Sequence, residues 1–184
     1  PYSEEEYPSY SYIGLKKTVN NTTKNHDDLA QEFLDSVQHW FSVGKKEKWL
    51  NAMQSLELST LFSEINISQI ADASLNTQGI IRLFKRLSSG HAIVLLTLTK
   101  LVEKVEEKTL VLLDEPEAHL HPPLLSAFIR ALSDLLVNRN AVGIIATHSP
   151  VIVQEVPKSC VWKLKRFQLE AGAERFDQET FGET

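Results

Sequence analysis

The chain has 184 residues, 42% of them hydrophobic and 23% charged, with a formal net charge of −5 and a pI of about 5.7. These values exclude a disordered or fibrous chain and argue against a surface that coats nucleic acid wholesale, while a local basic groove stays open. Cys160 is the single cysteine, so no internal disulfide can form and a reducing cytoplasm is the expected compartment.

Residues 1–28 read as irregular, with a short strand expected at 11–15. Leu29, Phe33, Leu34, Val37, Trp40 and Phe41 then recur at helical spacing, which predicts an amphipathic helix capped by Asp27 or Asp28. Short helical pieces are expected over 49–70, and the polar break at 74–79 marks a subdomain boundary. A helix is predicted over 90–108 from Ile93, Val94, Leu96, Leu98, Leu101 and Val105. Its apolar stretch at 92–98 is far too short to cross a bilayer. Residues 109–113 form a β-prone run that ends in Asp114. Leu124, Leu125, Phe128, Ile129, Leu132, Leu135 and Leu136 line one face of the next helix, and Asn138-Arg139-Asn140 stops it. Residues 142–146 predict a second strand and 161–164 a third. Strands alternating with helices of this length imply an α/β fold, a parallel sheet flanked by helices.

Four stretches carry the chemistry. Leu110-Val111-Leu112-Leu113-Asp114-Glu115 is an apolar strand that ends in two acids, where open α/β sheets hold their ligands. Adjacent acids at that place either bind something or start a loop and cap a helix. Asp114 would hold Mg²⁺ through water and Glu115 would orient an attacking water. Thr147-His148-Ser149-Pro150 follows the second strand, where a histidine either serves structure or donates to a phosphate oxygen. Leu87-Ser88-Ser89-Gly90-His91 precedes a helix; its small residues permit close approach of an anion to the helix N-terminus, or act only as a cap. Pro116-Glu117-Ala118-His119-Leu120-His121-Pro122-Pro123 is a rigid loop between strand and helix. His119 and His121 have no third ligand at zinc spacing, so an interface loop is the better reading than a metal pair.

Taken together, residues 80–164 resemble an ABC-type ATPase head. Residues 87–91 are similar to the ABC signature, with Ser89 and His91 as departures; 109–115 resemble a Walker B with its glutamate; 147–149 look like a switch-histidine motif, all in the ABC order. The LDEPEAHLH wording at 113–121 is similar to the SMC/RecF/OLD branch, and the whole stretch most resembles PtuA, the ATPase of Septu and retron-associated anti-phage systems. The resemblance implies a head-to-tail homodimer, or a higher oligomer, sandwiching ATP and Mg²⁺. Ser88, Ser89 and Gly90 would contact ATP in trans, Asp114 would support Mg²⁺, and Glu115 and His148 would serve hydrolysis. Ala118, His119 and His121 would lie at the dimer seam. It further implies an HNH nuclease partner, with nucleic acid reached through that complex and no membrane. Residues 1–78 would be a helical lobe or inserted arm, 79–166 the ATPase core and 167–184 a tail. No G-x-x-x-x-G-K-[ST] and no Q-loop glutamine can be assigned, and the first residue is Pro1; both motifs are expected upstream, so the 184 residues are expected to be inactive alone. A DNA-repair ATPase and a transporter nucleotide-binding domain are the competing readings.

Overall fold

The computed structural model describes residues 11–14, 23–42, 46–57, 62, 70, 76–167 and 170–175. The chain's first long helix, α1 (His26–Ser42), buries Leu29, Phe33, Leu34, Val37 and Trp40, the stripe expected from the spacing. Its cap is Asn25 rather than Asp27 or Asp28. The Asn25 side chain accepts from the Asp28 amide at 2.8 Å, and Asp28 accepts from the Asn25 amide at 2.9 Å. This reciprocal pair is a capping box that starts two or three residues earlier than the acids alone suggest. Residues 11–14 are not a strand, and Leu15 lies outside the described residues.

Next come α2 (Lys46–Glu57) and α3 (Thr77–Lys85), the latter capped by Asn76, whose side chain accepts from the Gly79 amide at 2.9 Å. The rest of the expected 49–70 and 74–79 segments lies largely outside the described residues. α4 (Ser89–Lys104) buries Ala92, Val94, Leu95, Leu96, Leu98, Leu101 and Val102 on several sides. A helix apolar nearly all round belongs at the centre of a core. It is met by α1, by α2 and by a later helix. Within this packing Phe33 stacks on Phe84 at 4.8 Å. The core is continuous from Leu29 to Ile152. α4 ends four residues before the expected Lys108. Val105 turns extended with its side chain buried, and Lys108 takes a left-handed φ of 64°. Glu106, Glu107 and Lys108 have no apolar group to bury, so another turn of helix would gain nothing from the core.

A β–α–β unit follows: β1 (Leu110–Asp114), a 3₁₀ turn (Pro116–His119), α5 (Pro122–Asn138) and β2 (Val142–Ala146). α5 stops as expected at Asn138-Arg139-Asn140. Asn140 is left-handed at φ 49°, and the Ala141 amide reaches back to Leu136 O at 2.9 Å. β1 and β2 pair in parallel, Leu110 opposite Val142 through Asp114 opposite Ala146. Val111 is buried and Leu113 and Ile145 pack against the core, whereas Leu110, Leu112, Val142 and Ile144 are exposed. Continuous apolar strands predict burial on both faces; among the described residues helices cover one. α6 (Pro150–Glu155) then packs on α5, tied by Arg130 and Glu155 at 2.7 Å and 2.9 Å. The expected third strand is β3 (Trp162–Phe167), longer than predicted. It pairs antiparallel with β4 (Glu170–Arg175) in a separate ribbon instead of extending the parallel sheet. No helix is long and apolar enough to cross a membrane among the described residues.

The centre of the helical layer contains one polar bridge. Trp49 Nε1 donates to Thr99 Oγ1 at 3.1 Å, and that hydroxyl donates to Leu95 O at 2.7 Å, with both residues fully buried. Thr99→Val keeps the shape and leaves the indole N–H without an acceptor. It should lower unfolding stability by about 1–3 kcal/mol, read from urea denaturation.

Candidate functional site

Parallel pairing with Asp114 opposite Ala146 brings the carboxyl ends of β1 and β2 level. The Glu115 amide continues the ladder by donating to Ala146 O at 2.9 Å. Residues just beyond the two strands are therefore neighbours although more than thirty positions separate them in sequence. Glu115 sits at φ 43° and ψ 55°, left-handed backbone that a residue with a side chain adopts at a cost. That turn releases the chain from the strand into the 3₁₀ turn, with Pro116 fixing the next φ.

Asp114, Glu115 and His148 come together here. His148 Nδ1 lies 3.5 Å from Glu115 Oε1 and 3.4 Å from Glu117 Oε1. The His148 and Glu115 side chains are open to solvent, at 75% and 58% exposure, and Asp114 is exposed as well. The Glu117 side chain is only 10% exposed. Its Oε1 accepts from the Thr147 hydroxyl at 2.6 Å and from the His148 amide at 3.0 Å. Oε2 is buried with no hydrogen-bond partner among the described residues. Burial pushes the Glu117 carboxyl up, but hydrogen bonds from Thr147, from its own backbone and from the His148 amide, with the nearby imidazole, hold it below the ordinary glutamate value. Thr147 in turn accepts from the Ser149 amide at 2.9 Å, and Ser149 caps α6 through the Val151 amide at 3.3 Å. Sequence reasoning placed Glu117 in an interface loop and missed this role. The available signal was a carboxylate three residues past a strand that ends in acids.

The Ser88–Gly90 turn is organised separately. Ser88 is the N-cap of α4, accepts from the His91 amide at 3.4 Å, and shares a 2.6 Å hydrogen bond with His91 Nδ1. Ser89 is exposed. A Cβ on Gly90 would stand 2.9 Å from the Leu124 side-chain tip in α5, which would have to shift, and at ordinary contact distance, 3.7 Å, from His119 O of the 116–121 loop. Ala118, His119 and His121 are exposed on that loop, with the His121 ring 6.3 Å from the His91 ring. Among the described residues no hydrogen bond or ion pair joins Ser88, Ser89 or Gly90 to Asp114, Glu115 or His148. No group of three or more His, Cys, Asp or Glu among them could cage a metal. One exposed carboxylate at Asp114 instead fits Mg²⁺ held mainly by water and phosphate oxygens.

Comparison with known proteins gives this geometry a family. The model of the family described as "AAA domain, putative AbiEii toxin, Type IV TA system" matches residues 5–154, which include all of these positions. The chain is 47% identical over 194 residues to protein ea59 of Escherichia phage lambda. That alignment covers 95% of the chain but 37% of ea59, so the chain spans little more than a third of this relative's length. No solved structure matches the chain.

Thr147→Val removes the hydroxyl that donates to Glu117 and accepts from Ser149. It should cost about 1–3 kcal/mol at neutral pH by urea denaturation. A carboxyl whose folded pKa is depressed contributes stability above its unfolded value and loses it as pH falls through the folded one. The penalty should therefore be largest above pH 4.5, the ordinary glutamate value, and shrink on acidification below it.

Proposed function

Since the chain belongs to this AAA domain family, we propose that it is part of an ATP-hydrolysing head of the ABC-type SMC/RecF/OLD-like branch. The observation that carries the reading is the meeting of Asp114, Glu115 and His148 at the level ends of two parallel strands. In this reading Asp114 binds Mg²⁺ through water, and the ion, when bound, neutralises charge on the phosphates. Glu115, exposed beside His148, orients a water for attack on the γ-phosphorus and accepts its proton as the bond to the β–γ bridging oxygen breaks and ADP leaves. The His148 ring donates to a γ-phosphate oxygen. Ser88, Ser89 and Gly90, at the N-terminus of α4, face ATP held by a second subunit. Ala118, His119 and His121 lie at that dimer seam. The 184 residues contain no G-x-x-x-x-G-K-[ST], so the phosphate cradle comes from outside them and they do not turn ATP over alone.

Glu115→Gln keeps the shape and loses the base. In the full-length protein it should lower ATP hydrolysis by about 10²–10⁴-fold while nucleotide binding persists, checked by phosphate release and by equilibrium binding. A wild-type rate would remove Glu115 from the mechanism.

We further propose that ATP-driven closure of two such heads gates an HNH-type nuclease partner in anti-phage defence. The support is the DEPEAHLHP wording of residues 114–122 and its likeness to the PtuA ATPases, together with a family description that names a toxin of a toxin–antitoxin system. Rigid-body closure would be felt by any partner docked on one state. The full-length protein should copurify with a nuclease whose DNA cleavage depends on ATP. Cleavage indifferent to Glu115→Gln and His148→Ala would reject gating.

A further inference from the structure

His148 and Glu115 are exposed side chains on loops without regular structure, so packing does not hold them at their 3.5 Å separation. Something else must define where the 147–149 loop sits. Glu115 donates its amide to Ala146 O at the end of β2, and its exposed carboxylate meets the 147–149 loop at the His148 ring alone, 3.5 Å away. The hydrogen bonds that reach into the 147–149 loop from this side go to Glu117, two residues further on.

We propose that Glu117 is a positioning residue: it clamps the loop that carries His148 onto the loop that carries Glu115. One carboxylate oxygen receives the Thr147 hydroxyl at 2.6 Å and the His148 amide at 3.0 Å, with His148 Nδ1 at 3.4 Å. The first contact holds the Thr147 side chain and the second holds the 147–148 peptide itself. The third draws the ring towards the acids. The Glu117 side chain, on the 3₁₀ turn, is itself only 10% exposed. Its other oxygen is buried without a partner among the described residues, a cost that a clamp made only for folding would not need. The cost has a return in that the charge lies beside the imidazole. Thr147 passes the restraint to Ser149, and Ser149 to the first turn of α6, so the loop is pinned at both ends.

The inference rests on the ATPase reading, and its test separates the two. In the full-length protein, Glu117→Ala should lower kcat for ATP about 10- to 100-fold, with KM within about twofold of wild type. The double variant Glu117→Ala/His148→Ala should be no slower than His148→Ala, because the two residues act as one unit. Glu117→Gln, which still offers an oxygen to both donors, should recover part of the rate. Amide hydrogen exchange supplies a readout independent of activity. The His148 amide should exchange slowly in wild type and in Glu117→Gln, and fast in Glu117→Ala. If Glu117→Ala does not fold, Glu117→Asp keeps the charge, shortens the reach and should behave the same way. Single-variant effects that multiply in the double variant, a wild-type kcat in Glu117→Ala, or unchanged His148 exchange would overturn the clamp. If Glu115→Gln and His148→Ala both hydrolyse ATP at the wild-type rate, the ATPase reading fails instead. The exchange measurement then decides the clamp alone: protection lost in Glu117→Ala supports it, protection kept overturns it.

Discussion

The parallel pairing of β1 with β2, Asp114 opposite Ala146, is the constraint on which the candidate site depends. A slip of one residue would reverse the facing of every strand side chain, sending Val111 and Leu113 to solvent and Leu110 and Leu112 to the core. It would also move His148 about 3.3 Å along the strand from Glu115. The core side of the sheet makes the register costly to change. Leu136 of α5 packs close against Gly143, where an added Cβ would stand 2.8 Å from its side-chain tip and make it shift. The helical layer, through α5, thus helps set the register that brings two acids and a histidine together.

The site is held by polar contacts of unequal burial. His148 and Glu115 face solvent, where an ion pair is screened and contributes little. Glu117 is enclosed, and its hydrogen bonds act at lower local dielectric, where they are stronger and where a missing partner costs more. The left-handed Glu115 backbone adds strain at the same place. Rigidity there comes from Thr147 and Ser149 on one side and Pro116 on the other, so exposed groups are supported by a buried neighbour.

The apolar face formed by Leu110, Leu112, Val142 and Ile144 is the other consequence of a two-stranded sheet. Its β-branched and leucine side chains match strands buried on both sides, whereas helices cover only the opposite face among the described residues.

Much of the fold was legible because its signals are local. The spacing of Leu29, Phe33, Val37 and Trp40 produces a buried stripe on any helix, and the runs at 110–114 and 142–146 are apolar, short and bounded by turn residues. Asp114, Glu115 and His148 were legible as strand-end residues for the same reason. What local pattern could not decide was competition between neighbours. Asn25 outcompeted Asp27 and Asp28 as the cap because Asp28 serves it as the reciprocal acceptor. Helix α4 stopped at Lys104 because burial of Val105 and the charged run after it favoured a turn. β3 joined β4 in a ribbon because hairpin pairing is available within the segment itself. Glu117 became central only in three dimensions. A carboxylate in a proline-bounded loop has no sequence mark of burial, and its donors, Thr147 and the His148 amide, arrive from thirty residues away through a pairing that tertiary packing sets.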